Sequence, residues 1–352
     1  MKIAPILDCF KKNNIKNLLV HTGQHYDDKM SGSFFKNLDI KSPDISFGIG
    51  SGTHGEQTAN IILKFEKVCI EYDPSLVLVV GDVNSTLGCA IAAVKLNIPI
   101  AHVESGLRSF DKQMPEEINR VIVDRISDYL FVTEKSGMIN LKNEGISSKK
   151  TFFVGNCMID SLVKILPKTE SEKAWEKYGL KRKQYILVTF HRPSNVDNKE
   201  KLKKIINVIN SIGDKYDIVF PVHPRTLKLI NDLKIKFNKS VKLLEPLPYD
   251  KFLGIMSQSL MVITDSGGIQ EETTYLKIKC LTVRENTERP VTIDVGTNRL
   301  LNLEDPNIIN IIIGYIANDY EKEAKIPDFW DGNAAERIID IINEKIINDK
   351  PN

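Results

Sequence analysis

Short apolar runs rich in β-branched residues alternate with longer segments of helical periodicity along this chain. A first series of apolar runs occupies 17–21, 76–81, 98–103, 129–132 and 152–155, and a second occupies 185–190, 217–222, 241–246, 261–265 and 279–283. Strands that are hydrophobic throughout and separated by helices are typical of parallel sheets covered on both faces. The pattern therefore predicts an α/β protein built from two doubly wound, Rossmann-like domains.

The domain boundary is expected where the first strand series ends, in the stretch GNCMIDSLVKILPKTESEKAW. This predicts an N-terminal domain over 1–157, a C-terminal domain over 158–332 and a C-terminal helix within 333–352, in NAAERIIDIINEKI. The opening KIAPILDCFKKNN predicts an amphipathic helix, although a doubly wound domain usually opens with a strand.

Composition excludes several classes of protein. Lys+Arg 48 against Asp+Glu 46 gives a net charge of +2, which argues against a nucleic-acid partner. Five cysteines without a CxxC pair favour a reduced, cytoplasmic protein over a disulfide or zinc framework. No apolar run approaches the ~18 residues of a membrane span, so no membrane partner is expected. The Walker lysine loop and the GxSxG motif are both absent from the sequence.

Charged residues follow the strands of the first series. Asp82 comes directly after the run at 76–81, Glu104 after the run at 98–103, and the helix start PEEINR carries Glu116 and Arg120. A helix cap would equally explain Asp82, and a surface salt bridge would explain Glu116 and Arg120, which are four residues apart. Ligands of parallel sheets bind beyond the carboxyl ends of strands, where crowded carboxylates can serve as acid and base.

Groups suited to an anion follow the strands of the second series. His191 and Arg192 come after the run at 185–190 and suit a phosphate or a leaving group. The pair His223 and Arg225 after the run at 217–222 is a weaker candidate, and His25, after the run at 17–21, is a further candidate. No HExxH motif is present, so a metal site is not expected.

The stretch TDSGGIQEE predicts a helix start that can hold a diphosphate. Gly267 and Gly268 let backbone N–H groups approach an anion closely, and the helix dipole favours negative charge there. Glu272, four residues beyond Gly268, could accept hydrogen bonds from a ribose diol. RENTERPVT adds Arg289 in the loop after the next strand.

Taken in order, TGQHYD, GDVNST, HVESGLRSFDKQMPEEINR, FHRPSN, PVHPRT, TDSGGIQEE and ENTERPVT resemble the non-hydrolysing UDP-N-acetylglucosamine 2-epimerases. Each motif alone is weak, but the ordered set is specific and spans almost the whole chain. The resemblance implies the fold of B-type glycosyltransferases, with UDP in the interdomain cleft and the C-terminal helix completing the first domain. It also implies a homodimer that uses neither a metal nor a nicotinamide cofactor.

The resemblance implies a reversible elimination and readdition of UDP that inverts C2 of UDP-N-acetylglucosamine through a 2-acetamidoglucal. Asp82, Glu104 and Glu116 would be the acid/base carboxylates, with no assignment to either face of the sugar. Arg120 would orient the Glu116 region, and His191 would support the leaving UDP. The implied substrate-binding residues are Lys2 at UDP, Leu247 and Phe252 at the uracil, Ser266, Gly267, Gly268 and Arg289 at the phosphates, and Glu272 at the ribose.

Alternative functions remain open from the sequence. A glycosyltransferase of the same fold would share the UDP site, and an epimerase of a related UDP-acetamido sugar would carry a motif closer to EAGNR than to ESGLR. A hydrolysing epimerase and a non-catalytic binding remnant are further alternatives. HTGQHYDDKM and GTHGEQT depart from the bacterial pattern at a second, activating substrate site, so activation by substrate is not implied.

Family members begin with a strand and a GTRPE loop, whereas this sequence begins at MKIAP, within the helix that follows that loop. We expect a longer chain that carries an upstream strand and loop to be more stable and more active. The reason is that the loss of a central strand exposes two rows of backbone hydrogen-bonding groups. Equal urea midpoints and turnover numbers for the two chains would refute this expectation.

Overall fold

A computed structural model describes residues 1–23, 40–318 and 323–347. The chain divides into two compact units, Met1–Ser161 with Asp328–Asn352 and Leu162–Pro327. The domain bounds expected from the sequence, 1–157, 158–332 and 333–352, stay a prediction.

In the first unit all strand pairs of the described residues are parallel. The strands are β1 (Val20–His21), β2 (Ile45–Ser46), β3 (Val77–Val80), β4 (Ile100–Ser105), β5 (Tyr129–Val132) and β6 (Thr151–Phe153). β3, β4, β5 and β6 form one sheet in that order, and β1 pairs with β2 in a second. The helices are α1 (Ala4–Lys12), α2 (His54–Tyr72), α3 (Asn84–Lys95), α4 (Pro115–Ile126), α5 (Lys135–Asn143) and, at the chain's end, α15 (Ala334–Ile342), with a 3₁₀ turn at Ser148–Lys150 and a π-helical turn at Asn343–Ile347.

The second unit contains one six-stranded parallel sheet of order β12, β11, β10, β7, β8, β9. Its strands are β7 (Tyr185–Thr189), β8 (Asp217–Pro221), β9 (Val241–Leu244), β10 (Met261–Thr264), β11 (Lys279–Thr282) and β12 (Asn298–Leu300). Its helices are α7 (Ala174–Lys177), α8 (Pro193–Val196), α9 (Lys199–Gly213), α10 (Pro224–Asp232), α11 (Tyr249–Ser257), α12 (Gly267–Tyr275), α13 (Val291–Asp294) and α14 (Ile308–Ala317), while α6 (Cys157–Glu172) spans the residue at which the units divide.

The predicted class, α/β with parallel sheets, is confirmed. All ten apolar runs contain a strand, and the opening segment is a helix, as predicted. The pattern missed β2 and β12, which are only two and three residues long, because strands this short leave too few positions for a periodicity.

The sheet of the first unit is covered on both faces. Ile6 of α1 and Ile338 of α15 are fully buried in one cluster with Val103 of β4. Ile61 of α2 and Val123 of α4 lie in a separate cluster with other residues of β3 and β4. Burial of each such side chain contributes about 1.5–3 kcal/mol, so the packing of both layers fixes where the carboxyl ends of β3 and β4 point. No helix in the described residues is long and apolar enough to cross a membrane.

β4 ends in an irregular turn. Its register against β5 shifts between Val103 and Ser105, and Glu104 has a φ of 72°. A left-handed conformation costs a non-glycine residue about 1–3 kcal/mol, and such strain concentrates at functional sites. Glu104 is thus the extra residue of a β-bulge near the carboxyl end of β4.

Asp160 of α6 caps the start of α15. Its carboxylate accepts hydrogen bonds from the backbone N–H of Ala334 at 3.2 Å and of Ala335 at 2.7 Å. Asn333, the residue that precedes the helix, provides no side-chain cap itself. Burial outweighs these hydrogen bonds and raises the pKa of Asp160 to about 6.

We expect Asp160→Ala to lower the free energy of unfolding by about 1–2 kcal/mol, because two helix N–H groups lose their acceptor. Asp160→Asn keeps an acceptor oxygen without a buried charge and should lie close to the parent protein at pH 7.5. Urea denaturation of both variants measures the difference, with Asp340→Ala on the exposed side of α15 as the control. Equal stabilities of the alanine and asparagine variants would show that the cap contributes nothing.

Candidate active site

Asp82 follows β3 and is held by two groups of α4. Arg120 Nη1 donates to Asp82 Oδ2 at 2.5 Å, and Asn119 Nδ2 donates to the Asp82 carbonyl at 2.8 Å. The Asp82 side chain remains about a quarter exposed, at 26%, so the carboxylate is both fixed and accessible. The helix cap considered for Asp82 is not formed, because α3 begins at Asn84 without a side-chain cap.

Arg120 is a buried cation whose partners differ from the expected one. Its Nε and Nη2 donate to Glu117 Oε2 at 3.0 and 2.7 Å, and its Nη1 binds Asp82. No hydrogen bond or ion pair joins Arg120 to Glu116 in the described part of the chain, so the surface salt bridge considered for this pair is wrong. Arg120 therefore contacts Asp82 and Glu117 rather than the Glu116 carboxylate.

Glu117 is a site residue that the sequence did not single out. Its oxygens also accept from the backbone N–H of Ser109 and of Phe110, both at 2.9 Å. Burial opposes ionisation, but these bonds and Arg120 outweigh it and hold the pKa of Glu117 below its usual value. The two adjacent glutamates therefore differ in their contacts. Glu117 holds the loop after β4 and binds Arg120, whereas Glu116 makes none of these hydrogen bonds.

Glu104 and Lys2 form an ion pair. Glu104 is buried, and Lys2 is about one quarter exposed. Both lie beside Gly81, where an added Cβ would stand 3.6 Å from Glu104 Oε2 and 3.7 Å from Lys2 Nζ. With a φ of 75°, Gly81 also needs the left-handed conformation that glycine adopts without strain. Lys2, Gly81, Asp82 and Glu104 thus come together at the carboxyl ends of β3 and β4.

Glu116 lines an open cavity of about 320 Å³ in the first unit. No hydrogen bond or ion pair to another described residue holds its carboxylate, which is partly exposed. Several uncharged polar groups on α2, α3 and α4 share the cavity, and the complete lining is Ser51, Gly52, His54, Gln57, Val83, Asn84, Pro115, Glu116 and Asn119. Asn84 Nδ2 donates to Gln57 Oε1 at 2.9 Å, so the polar wall is itself ordered. His54 and Gln57 lie in GTHGEQT, one of the two segments that depart from the bacterial pattern.

His191 lies against a buried carboxylate in the second unit. Its ring Nδ1 is 2.9 Å from Asp265 Oδ1, while 59% of its side chain is exposed. Asp265 also accepts from the backbone N–H of Arg192 and from Asn195 Nδ2, both at 3.0 Å. Burial opposes ionisation of Asp265, but these bonds outweigh it and lower the pKa of its carboxyl. The carboxylate thus fixes the ring and leaves Nε2 for a ligand. Asp265 was not singled out from the sequence.

The predicted helix start is confirmed. α12 begins at Gly267 with Ser266 as the preceding residue, and the Ser266 side chain does not cap it. Arg289 reaches this turn: a Cβ added to Gly267 would stand 2.7 Å from Arg289 Nη1. Arg289 is buried and pairs with Glu271 at 2.8 Å and with Glu288. Ser266, Gly267, Gly268 and Arg289 therefore form one anion-attracting end of the helix.

Glu272 is buried on the same helix and accepts a hydrogen bond from the Tyr249 hydroxyl at 2.7 Å. Burial first, and then the neighbouring Glu271, raises the pKa of Glu272 to about 7 against the opposing hydrogen bond from Tyr249. Phe252 is half-buried on α11, and Leu247 lies two residues before that helix begins. Tyr249, missed from the sequence, links the helix of Phe252 to Glu272.

The remaining histidine candidates are His223, which the structure describes, and His25, which it does not. His223 Nδ1 accepts from the Arg225 N–H at 3.3 Å at the start of α10, and Arg225 pairs with Asp197 at 2.8 Å on the surface. These contacts make the pair a helix cap and a surface ion pair. His25 lies outside the described residues. Within the described ranges, no group of three or more His, Cys, Asp or Glu side chains could hold a metal ion.

The fold and these sites define an α/β protein that combines clustered carboxylates with an anion-attracting helix end. The sequence profile of the UDP-N-acetylglucosamine 2-epimerase family matches residues 8–343. The UDP-N-acetylglucosamine 2-epimerase of Methanocaldococcus jannaschii is 42% identical over 351 residues, which cover 97% of this chain and 95% of that protein. The chain belongs to the UDP-N-acetylglucosamine 2-epimerase family.

Further comparisons give the structural likeness and the range of substrates among relatives. A crystal structure of the M. jannaschii UDP-GlcNAc 2-epimerase, in complex with UDP-GlcNAc and UDP, matches with a TM-score of 0.90 and 41% identity over 97% of this chain and 96% of that chain. The UDP-2,3-diacetamido-2,3-dideoxy-D-glucuronate 2-epimerase of Pseudomonas aeruginosa is 36% identical over 94% of this chain and 92% of that protein. The family therefore includes relatives that are named for different UDP-sugars.

The raised pKa of Glu272 predicts a pH dependence of stability. The shift from 4.5 to about 7 means that the folded protein binds the proton more tightly than the unfolded chain does. The stability due to this group is fully present below pH 4.5 and is lost as the pH rises through 7, a change of about 3 kcal/mol. Glu272→Gln has no proton to lose, so its stability relative to the parent should rise between pH 4.5 and pH 8.

Urea denaturation at several pH values measures this difference. Glu245→Gln, an exposed residue of the same unit, is the control and should give curves parallel to the parent at every pH. Parallel curves for Glu272→Gln as well would contradict the prediction.

Proposed function

We propose that this chain catalyses the reversible epimerisation of UDP-N-acetylglucosamine at C2 to UDP-N-acetylmannosamine, an isomerisation without a cofactor. The observation that carries the proposal is the placement of three carboxylates in one unit, near the carboxyl ends of β3 and β4 and at the start of α4, in a chain of this family. Asp82, Glu104 and Glu116 are the carboxylates, and the family relative from M. jannaschii carries the name of this activity.

The reaction needs groups that take and return a proton at one carbon. A base removes the C2 proton, the electron pair of that bond forms the C1–C2 double bond, and the C1–O bond breaks as UDP leaves with its electrons. UDP then adds back to C1 of the 2-acetamidoglucal while C2 receives a proton on the opposite face. Because the C2 proton is weakly acidic, the step needs acid/base groups on both faces and stabilisation of the departing diphosphate.

The first unit supplies the proton-transfer groups. Asp82, fixed by Arg120, has an accessible carboxylate with a defined direction. Glu116 faces the cavity without an ionic partner among the described residues, so it can accept or release a proton without breaking an ion pair. Glu104 pairs with Lys2, which is also the residue proposed to contact UDP.

The second unit supplies the nucleotide-binding groups. The backbone N–H groups of 266–268 and the guanidinium of Arg289 hold the diphosphate at the start of α12. His191, oriented by Asp265, donates to the leaving UDP. Glu272 accepts the ribose hydroxyls in place of Tyr249. Phe252 packs on the uracil, and the Leu247 backbone contacts the edge of that base.

A related UDP-acetamido sugar is the second candidate substrate. The observation that favours it is the 36% identity to the P. aeruginosa epimerase of a diacetamido uronic acid. The identity to the M. jannaschii protein is higher, at 42%. The motif ESGLR also differs from the EAGNR pattern of the diacetamido enzymes.

We also propose that the protein acts in the cytoplasm as a homodimer, with no nucleic-acid or membrane partner. Support for self-association comes from α4, where Ile118, Val121 and Ile122 form an exposed apolar stripe at helical spacing.

The test is proton NMR of UDP-N-acetylglucosamine with the protein in heavy water. We expect manno product to appear and the C2 proton to be replaced by deuterium. Glu116→Gln should lower kcat by about 100-fold or more, since an amide cannot exchange the proton. Its affinity for UDP in calorimetry should be unchanged, because the proposed UDP contacts lie elsewhere.

Glu200→Gln, in the exposed first turn of α9, is the matched control and should retain the parent activity. Exchange only with the diacetamido sugar would favour the second candidate. Sugar transfer that requires an acceptor would identify a glycosyltransferase, and release of free N-acetylmannosamine would identify a hydrolysing epimerase. UDP binding with no C2 exchange for any of these sugars would overturn an epimerase function.

A further inference from the structure

His102 of β4 is fully buried, and both of its ring nitrogens face oxygen atoms. Nε2 lies 2.9 Å from the carbonyl oxygen of Gly81, and Nδ1 lies 2.6 Å from Asp124 Oδ1. A neutral imidazole has one N–H and one lone pair. In this position, a neutral ring would need one of the two oxygens to carry a proton.

The Gly81 carbonyl has no proton to give, so Nε2 must be the donor in that hydrogen bond. This fixes one N–H on the ring from geometry alone. The protonation of the other nitrogen depends on whether Asp124 is ionised.

Asp124 is surrounded by donors. Its Oδ2 accepts from the Gly106 N–H at 3.0 Å and pairs with Arg108 Nη1 at 2.7 Å. Arg108 is itself buried and binds Glu144 through Nε and Nη2, both at 2.8 Å. The Glu144 side chain is about one third exposed, at 34%, and Arg108 is shared between it and the buried Asp124. With both carboxylates negative and Arg108 positive, a charge on His102 makes the group of four neutral.

The titration behaviour of both groups agrees with this geometry. Burial opposes ionisation of Asp124, but His102 and Arg108 outweigh it and lower the pKa of the carboxyl. Burial likewise lowers the pKa of His102, and Asp124, the Gly81 carbonyl and Glu104 together outweigh it and raise that pKa. An ionised Asp124 leaves Nδ1 as a second donor.

The Gly81 peptide connects this ring to the candidate active site. The Gly81 N–H donates to the Val103 carbonyl at 3.0 Å, and the Gly81 carbonyl accepts from His102. Gly81 is therefore held at both its N–H and its carbonyl, and the carbonyl belongs to the peptide group that leads into Asp82. From there Arg120 and Asn119 hold Asp82 itself.

We propose that His102 is a permanently charged imidazolium that acts as a positioning residue, holding the Gly81 carbonyl so that the Asp82 carboxylate is aimed at the substrate. The positioning part rests on the proposed function, while the charge of the ring does not. No contact between His102 and the substrate is involved.

The charge is tested in the parent protein by nitrogen–proton NMR with ¹⁵N-labelled histidine. We expect one buried ring to show both nitrogens protonated at pH 7.5 and above, and this signal to be missing in His102→Gln. A His102 ring with only one protonated nitrogen at pH 7.5 overturns the proposal. This measurement needs no activity, so it stands apart from the epimerase assay.

The positioning role is tested with His102→Phe, which keeps a flat ring and removes both donors. We expect kcat to fall by roughly 10- to 100-fold with KM within about threefold, because the substrate still binds while Asp82 is misdirected. The matched control is Trp330→Phe, which loses a buried hydrogen bond to the Thr133 carbonyl in the same unit and should keep the parent kcat.

The kinetic results test the positioning role, and the NMR result tests the charge of His102. An unchanged kcat in His102→Phe, or an equal loss in Trp330→Phe, overturns the positioning role. If His102→Phe does not fold, the comparison is made with His102→Gln, which can retain one donor. We expect its kcat to fall by about three- to tenfold, and an unchanged kcat overturns the positioning role. A parent protein that shows the doubly protonated ring but no C2 exchange overturns the proposed function and leaves the charged ring established.

Discussion

The structure depends on pairing the charges that it buries at the ends of its strands. An unpaired ion in such a position costs several kcal/mol, and removal of one partner leaves the other uncompensated. The protein meets this constraint with clusters that combine cations and carboxylates: Arg120 with Glu117 and Asp82, and Arg289 with Glu271 and Glu288. In the first cluster Glu117 holds the loop at 109–110 and Asp82 belongs to the candidate site. In the second, Arg289 lies beside Gly267 at the start of α12. The same interactions therefore stabilise the fold and direct the functional groups.

The sequence predicts the layers of this fold well because burial on both faces leaves a clear signal. Every apolar run of the two series contains a strand, and the glycines after β10 begin a helix as expected. These features are local: a run of valine and isoleucine or a pair of glycines limits its own conformation. Strand ends, and with them the positions of Asp82 and Glu104, follow from the same pattern.

The partners of the site residues could not be predicted in this way. Glu116 and Glu117 are adjacent in sequence, yet one faces a cavity and the other is buried against Arg120. Which of the two glutamates is buried depends on where the loop at 109–110 passes, because the backbone N–H groups of this loop bind Glu117. The left-handed turn at Glu104 also has no local signal, since glutamate does not favour it. Tertiary contacts, and not spacing, decide both.

The two units use different chemistry for reasons that follow from the proposed reaction. Proton transfer at carbon needs groups that change charge, and the first unit presents carboxylates whose surroundings differ from one another. A diphosphate that leaves and returns needs donors that keep their charge throughout. Backbone N–H groups and a guanidinium meet this condition, and the second unit presents both at the start of α12. In the proposed reaction, the groups that transfer protons and the groups that hold the nucleotide would thus be supported by separate ion-pair clusters.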